Sequence, residues 1–76
     1  MKRESFQQAV DAFKQRKPFQ PFAIELEDGI RLVVGEPKAL KCYAGAATYL
    51  QPDGSFQFID CDEVRQIVDL TPVPTT

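Results

Sequence analysis

The 76-residue chain contains no histidine. That absence removes most acid–base dyads, most nucleophilic triads and the usual zinc ligand sets. Its two thiols, Cys42 and Cys61, lack the imidazole that normally activates a cysteine nucleophile, and their spacing is unlike a CxxC pair. They read as inert, buried, reduced cysteines, with a single disulfide as the alternative. Asp60, Asp62 and Glu63 form the densest group of carboxylates. They lack the D-x-D-x-D-G ladder of a calcium loop and read as a solvated turn. The four glycines stand singly at turns, so no loop has phosphate-cradling spacing. Tyr43 and Tyr49 are of a type that stacks on bases, but only Lys41 is interleaved with them, which favours packing or a protein contact. No residue is assigned to catalysis, a cofactor or a metal. The chain reads as a non-enzyme, and a carboxylate-based hydrolase is the remaining enzymatic alternative.

Length and charge narrow the field further. A chain of 76 residues makes one domain, expected over residues 1–71 with a mobile tail at 72–76. Domains of this size bury only about 60% of their unfolded surface, so the core is thin. The net charge of −2 and a pI near 4.9 argue against a general nucleic-acid binder. Charge is unevenly spread: residues 1–17 hold five basic groups (Lys2, Arg3, Lys14, Arg16, Lys17) against Glu4 and Asp11. The remaining residues hold four basic groups against nine acidic ones. This pattern fits a solvated helix facing an acidic sheet, and less well a basic arm seeking an acidic partner. There is no signal-peptide core and no apolar run of membrane-spanning length, so the expected setting is cytoplasmic.

The elements that must position these residues follow from periodicity. Ser5 and Gln8 have capping-box spacing, and Phe6, Ala9, Val10 and Phe13 then mark one face of a helix ending near Lys17, before Pro18. The connector from Lys17 to Phe22 is extended, and its two rings anchor the helix. From Phe22 the period becomes two. A three-residue loop, Glu27-Asp28-Gly29, pairs Leu26 with Ile30, Ile24 with Leu32 and Phe22 with Val34, with Gly29 in the left-handed position of a G1 bulge. A two-residue loop would set charged residues on the apolar face. Pro37 to Leu40 suits one helical turn, and residues 46–51 read as a strand. Pro52-Asp53-Gly54 repeats the three-residue device, setting Leu50 against Phe56, Thr48 against Phe58, Tyr49 against Gln57 and Ala47 against Ile59. A turn at residues 60–63 leads to a last strand over Val64–Leu70. The fold class is therefore α+β, mainly β: an N-terminal helix, then about five short antiparallel strands curled into a small barrel.

Two resemblances attach to these motifs. Gly54-x-Phe56-x-Phe58-Ile59, a turn, and Val64-x-x-Ile67 resemble the second motif of the Sm-like, SH3-type barrel. That family's RNA binders carry an Asp-x-x-x-Asn-type loop and a basic residue with glycine before the last strand. The matching places here are Val34-Gly35-Glu36-Pro37 and Asp60-Cys61, so the resemblance implies the barrel and no RNA site. Residues 17–37, with Lys17-Pro18-Phe19-Gln20-Pro21-Phe22-Ala23-Ile24-x-Leu26-x-Asp28-Gly29, are similar to a group of short uncharacterised bacterial proteins. That likeness implies a bacterial origin and a shared fold, but no activity.

The resulting expectation is a non-catalytic protein-interaction module that binds itself, as a possible homo-oligomer, or another protein. No membrane, cofactor or specific nucleic acid is implicated. The alternative is a degenerate Sm-like nucleic-acid binder using the basic helix. If the strands form a meander, the core-facing sets are Ile30, Leu32 and Val34, then Thr48 and Leu50, then Phe56 and Phe58. The opposite face then presents Val33, Ala47, Tyr49 and Ile59 as the candidate interface. The competing arrangement lays Phe6, Val10 and Phe13 of the helix over that same face.

Overall fold

A computed structural model of the chain describes residues 1–70, so the expected tail at 72–76 lies outside the described residues. One helix, α1 (Arg3–Lys14), precedes six strands: β1 (Phe22–Leu26), β2 (Arg31–Val34), β3 (Leu40–Tyr43), β4 (Ala46–Leu50), β5 (Phe56–Asp60) and β6 (Val64–Asp69). Short 3₁₀ turns at Pro37–Ala39 and Cys61–Glu63 lead into β3 and β6. The strands form two antiparallel three-stranded sheets, ordered β2-β1-β6 and β3-β4-β5, with no closed barrel among the described residues. The α+β, mainly β architecture is therefore present, with one strand more than periodicity indicates. No helix among the described residues is long and apolar enough to cross a membrane.

The helix turns Phe6 and Val10 fully inward, as its apolar spacing dictates, but its ends differ from expectation. It begins at Arg3, with Lys2 at the N-cap and no side-chain cap, so Ser5 lies inside the helix. The Met1 amine donates to the carbonyls of Cys61 (3.0 Å) and Val64 (2.9 Å), which draws the chain against the second 3₁₀ turn and starts the helix early. The helix stops at Lys14, because Arg16 must reach the Gln20 carbonyl at 2.9 Å and the Asp69 carboxylate at 3.0 Å. The aromatic connector works as an anchor. The Phe22 ring is fully buried, 5.0 Å from Phe13 and 6.0 Å, edge-on, from Phe19, while the Arg16 guanidinium lies 4.6 Å over the Phe13 ring.

In the first hairpin β1 and β2 pair Ile24 with Leu32 and Phe22 with Val34. Leu26 N–H donates to Ile30 O (2.8 Å), Gly29 N–H to Leu26 O (3.0 Å), and Gly29 sits at φ +91°. This is the three-residue loop with its bulge. The Asp28 carboxylate accepts from Ile30 N–H at 3.0 Å and stiffens the turn. Between β4 and β5 the same device recurs: Gln51 N–H donates to Ser55 O, Gly54 N–H to Gln51 O, and the Asp53 carboxylate accepts from Ser55 N–H at 2.8 Å. On the exposed side of the first sheet the Glu25 carboxyl is held below its usual range, chiefly by the Gln66 amide and next by Arg31.

The largest departure is β3. Leu40-Lys41-Cys42-Tyr43 pairs with β4 through a two-residue turn, Ala44-Gly45, whose residues both have positive φ (52° and 83°). Such a turn matches the right-handed twist of the strands it joins. Its glycine is also required by space, since a Cβ there would lie 2.3 Å from Cγ of Arg3. A Cβ on Gly29 meets nothing within 4 Å, so strain there is purely backbone. Gly29→Val is therefore expected to cost about 1–2 kcal/mol. Gly45→Ala should cost more than Gly29→Ala in thermal unfolding, and Arg3→Ala in the same chain should recover the excess.

Candidate functional site

Burial along β4 and β5 decides which face of the second sheet meets the core. Tyr49 is 7% exposed, Ala47 3% and Ile59 1%, and they pack with Leu40, Phe6, Val10 and the inward side of the first sheet. The candidate interface of Val33, Ala47, Tyr49 and Ile59 is thus corrected: three of its four residues are interior, and only Val33, half-exposed on β2, is at the surface. It does not form one patch with them, because β2 and β4 lie in different sheets and the meander assumed for these strands is absent. The helix residues Phe6 and Val10 share the core with that face, as in the competing arrangement, and Phe13 is half-buried beside it.

The pairing itself is the expected one: Leu50 with Phe56, Tyr49 with Gln57, Thr48 with Phe58, Ala47 with Ile59. Inverting the face while keeping the register sends the larger apolar groups outward. Tyr43 is 85% exposed, Phe58 81%, Phe56 65% and Leu50 37%. β3 supplies the reason. It pairs Leu40 with Tyr49 and Lys41 with Thr48, so the face that takes Leu40 inward must take Tyr49 inward, leaving Lys41 and Thr48 in water. Tyr49 also satisfies its hydroxyl on this side, donating to the Val33 carbonyl at 2.7 Å.

The outer face of β3-β4-β5 is therefore an aromatic surface. Leu50 and Phe56 are cross-strand neighbours, Phe58 follows on β5, Thr48 and Ala46 lie between, and Tyr43 stands on β3. Lys41 and Asp60 mark its charged borders. With about 200 Å² per aromatic residue, the three exposed rings show about 450 Å² of surface. That lies within the roughly 300–600 Å² of the largest apolar patch on a typical monomer, a patch that is often functional.

The groups that could carry chemistry are placed otherwise. Cys42 is half-buried, Cys61 is buried, and neither forms a disulfide. Burial pushes both thiols up, helped by Asp11 at Cys42 and by Asp60 and Asp62 at Cys61, so both are protonated at neutral pH. Cys42 donates to the Gln7 side chain at 3.3 Å. Asp60, Cys61 and Asp62 bring one ligand atom each within 4.8 Å, without Glu63. The Asp60 carboxylate is already engaged as a cap, accepting from Asp62 N–H at 3.0 Å. A groove of about 650 Å³ opens between β2, the first 3₁₀ turn and the β4–β5 turn, lined by Val33, Glu36, Tyr49, Gln51 and Pro52 among others, with Glu36 its sole carboxylate. Two cations of the basic N-terminal segment are engaged within the chain, Lys14 by the Leu40 carbonyl at 2.6 Å and Arg16 by the half-exposed Asp69 carboxylate.

Comparison with protein-family models, with curated proteins and with solved structures finds no match to this chain.

The face assignment carries a direct expectation. Tyr49→Lys with Ile59→Glu places two charges in the core and should abolish the folded state. Phe58→Lys, on the open face, should leave the circular dichroism spectrum and the midpoint of thermal unfolding within a few degrees of wild type.

Proposed function

We propose that this chain is a non-catalytic protein-interaction domain whose contact surface is the outer face of β3-β4-β5. The observation that carries this reading is the clustering of Tyr43, Leu50, Phe56 and Phe58 on one rigid sheet face, the most apolar open surface among the described residues. Interface cores are enriched in aromatic residues and depleted of charge. This face has the same character, with Lys41 and Asp60 at its edge in the manner of a polar rim. The rings are held by a hydrogen-bonded sheet, so little conformational freedom is lost on contact. We read the architecture as an open variant of the small Sm-like, SH3-type barrel, with the two sheets joined through the Cys61–Glu63 turn. Protonated, unpaired thiols suit a cytoplasmic setting.

Exposed rings on an antiparallel sheet also suit stacking against single-stranded nucleic acid. Lys41 is the lone cation among the face residues, Lys14 and Arg16 of the basic segment are engaged by the Leu40 carbonyl and the Asp69 carboxylate, and the net charge is −2. Those charges favour a protein over a polyanion.

A photo-crosslinking phenylalanine analogue at position 58, introduced in the native cell, should capture protein. The same group at Gln66, on the other sheet, should capture little. Equal capture from both positions would remove the reading. Sub-micromolar single-strand binding at about 150 mM salt, with a steep salt slope, would replace it with the nucleic-acid alternative.

A further inference from the structure

We propose that β5 is an open pairing edge and that its occupant is β5 of a second copy, joined antiparallel across a two-fold axis. This deepens the reading of the aromatic face as an interface and rests on it. The two sheets have four edges, β2 and β6 in one and β3 and β5 in the other. β3 is covered by α1: the Lys14 ammonium takes the Leu40 carbonyl at 2.6 Å, and the Cys42 thiol meets Gln7. At the β2 edge the Tyr49 hydroxyl takes the Val33 carbonyl at 2.7 Å, and Arg31 adds charge. β6 carries Arg65 and Asp69, the latter paired with Arg16. These are the usual protections against edge-to-edge association.

Among the described residues β5 has none of them. Its sequence, Phe56-Gln57-Phe58-Ile59-Asp60, holds no lysine, arginine or proline, and its one carboxylate is turned toward the Asp62 amide. The ladder fixes which backbone groups are left over. Gln51 N–H donates to Ser55 O and Cys61 N–H to Gly45 O, so the hydrogen-bonded positions facing β4 are 55, 57, 59 and 61. By antiparallel alternation, the N–H and C=O of Phe56, Phe58 and Asp60 point to the free edge. The residues that offer backbone bonds outward are thus the same ones that expose their rings.

Side chains then select the register. An axis at Phe58 sets Phe56 against Asp60 of the second copy, and an axis at Ile59 sets Phe58 against that same carboxylate. An axis at Gln57 pairs Phe56 with Phe58 of the second copy twice, gathering four rings on one face of a continuous six-stranded sheet. At the seam itself Phe56 and Phe58 expose about 290 Å², taking about 200 Å² per aromatic residue, toward the roughly 800 Å², somewhat over half of it apolar, that each partner gives in a standard interface.

The experiment is sedimentation velocity over a concentration series reaching about 1 mM, with three variants. Phe58→Ala keeps the outward N–H. Phe58→Pro removes it and spares the β4 ladder, since proline is tolerated where the N–H faces away from its neighbour. Gln57→Cys places thiols across the axis at a non-hydrogen-bonded pair, with Cα atoms about 4.5 Å apart, inside disulfide range. The expected result is a wild-type dimer, at least tenfold weaker dimerisation in Phe58→Pro than in Phe58→Ala, and a covalent Gln57→Cys dimer on mild oxidation. A wild type that stays monomeric throughout would overturn self-pairing, and protein crosslinks from position 58 would then leave the interface reading standing. A dimer weakened equally by Pro and Ala, with no Gln57→Cys crosslink, would overturn the edge geometry in favour of stacked faces.

Discussion

The seam between the two sheets is held by the side chain of Tyr49. Its ring lies inside and its hydroxyl donates to the Val33 carbonyl at 2.7 Å, on an edge strand of the other sheet. A buried phenol needs a partner for its hydroxyl, and leaving one unsatisfied costs about 1–3 kcal/mol. Meeting that need orients β4, and through β4 everything paired with it. Ala47 and Ile59 follow Tyr49 inward, Leu40 packs beside it from β3, and Thr48, Leu50, Phe56 and Phe58 are turned to solvent.

A thin domain that leaves the rings of Tyr43, Phe56 and Phe58 in water forgoes apolar burial, which makes the outer face the most informative surface among the described residues. Burying an aromatic side chain is worth about 1.5–3 kcal/mol relative to leaving it exposed. Phe56 and Phe58 contribute little of this within the single chain, and the proposed interface rests on that exposure. Among the described residues the same strand also offers backbone hydrogen-bonding groups without partners along its edge, whereas the helix, the Tyr49 hydroxyl and charged side chains protect the other three edges. Apolar surface and unpaired backbone coincide on β5.

Much of the fold was legible in the residues. The 3.6-residue spacing of Phe6, Val10 and Phe13 marked the helix, and the alternation around Asp28-Gly29 selected the three-residue bulged loop and its register. Cross-strand partners between β4 and β5 followed from the same logic. Facing did not, because both sides of that hairpin are apolar: Ala47, Tyr49 and Ile59 on one, Leu50, Phe56 and Phe58 on the other. Each face also carries a polar residue, Gln57 beside Tyr49 on one and Thr48 beside Phe58 on the other, so period alone cannot tell inside from outside. The deciding signal was in β3, where Lys41 sits opposite Thr48 and Leu40 opposite Tyr49. That strand was hidden by its small-residue turn, since Ala44 occupies a positive-φ position where Asn or Gly is the usual marker. The helix ends differ for tertiary reasons, the docking of Met1 on the Cys61 and Val64 carbonyls at the start and the contacts of Arg16 with Gln20 and Asp69 at the end.

The facing of the β3-β4-β5 sheet can be read by paramagnetic relaxation of side-chain proton signals with a soluble, uncharged probe, at a concentration where the chain is monomeric. The expected result is strong broadening of the Tyr43, Phe56 and Phe58 ring signals, and sheltered signals from the Tyr49 ring and the Ile59 methyl groups. Broadened Tyr49 and Ile59 signals beside sheltered Phe56 and Phe58 rings would contradict it.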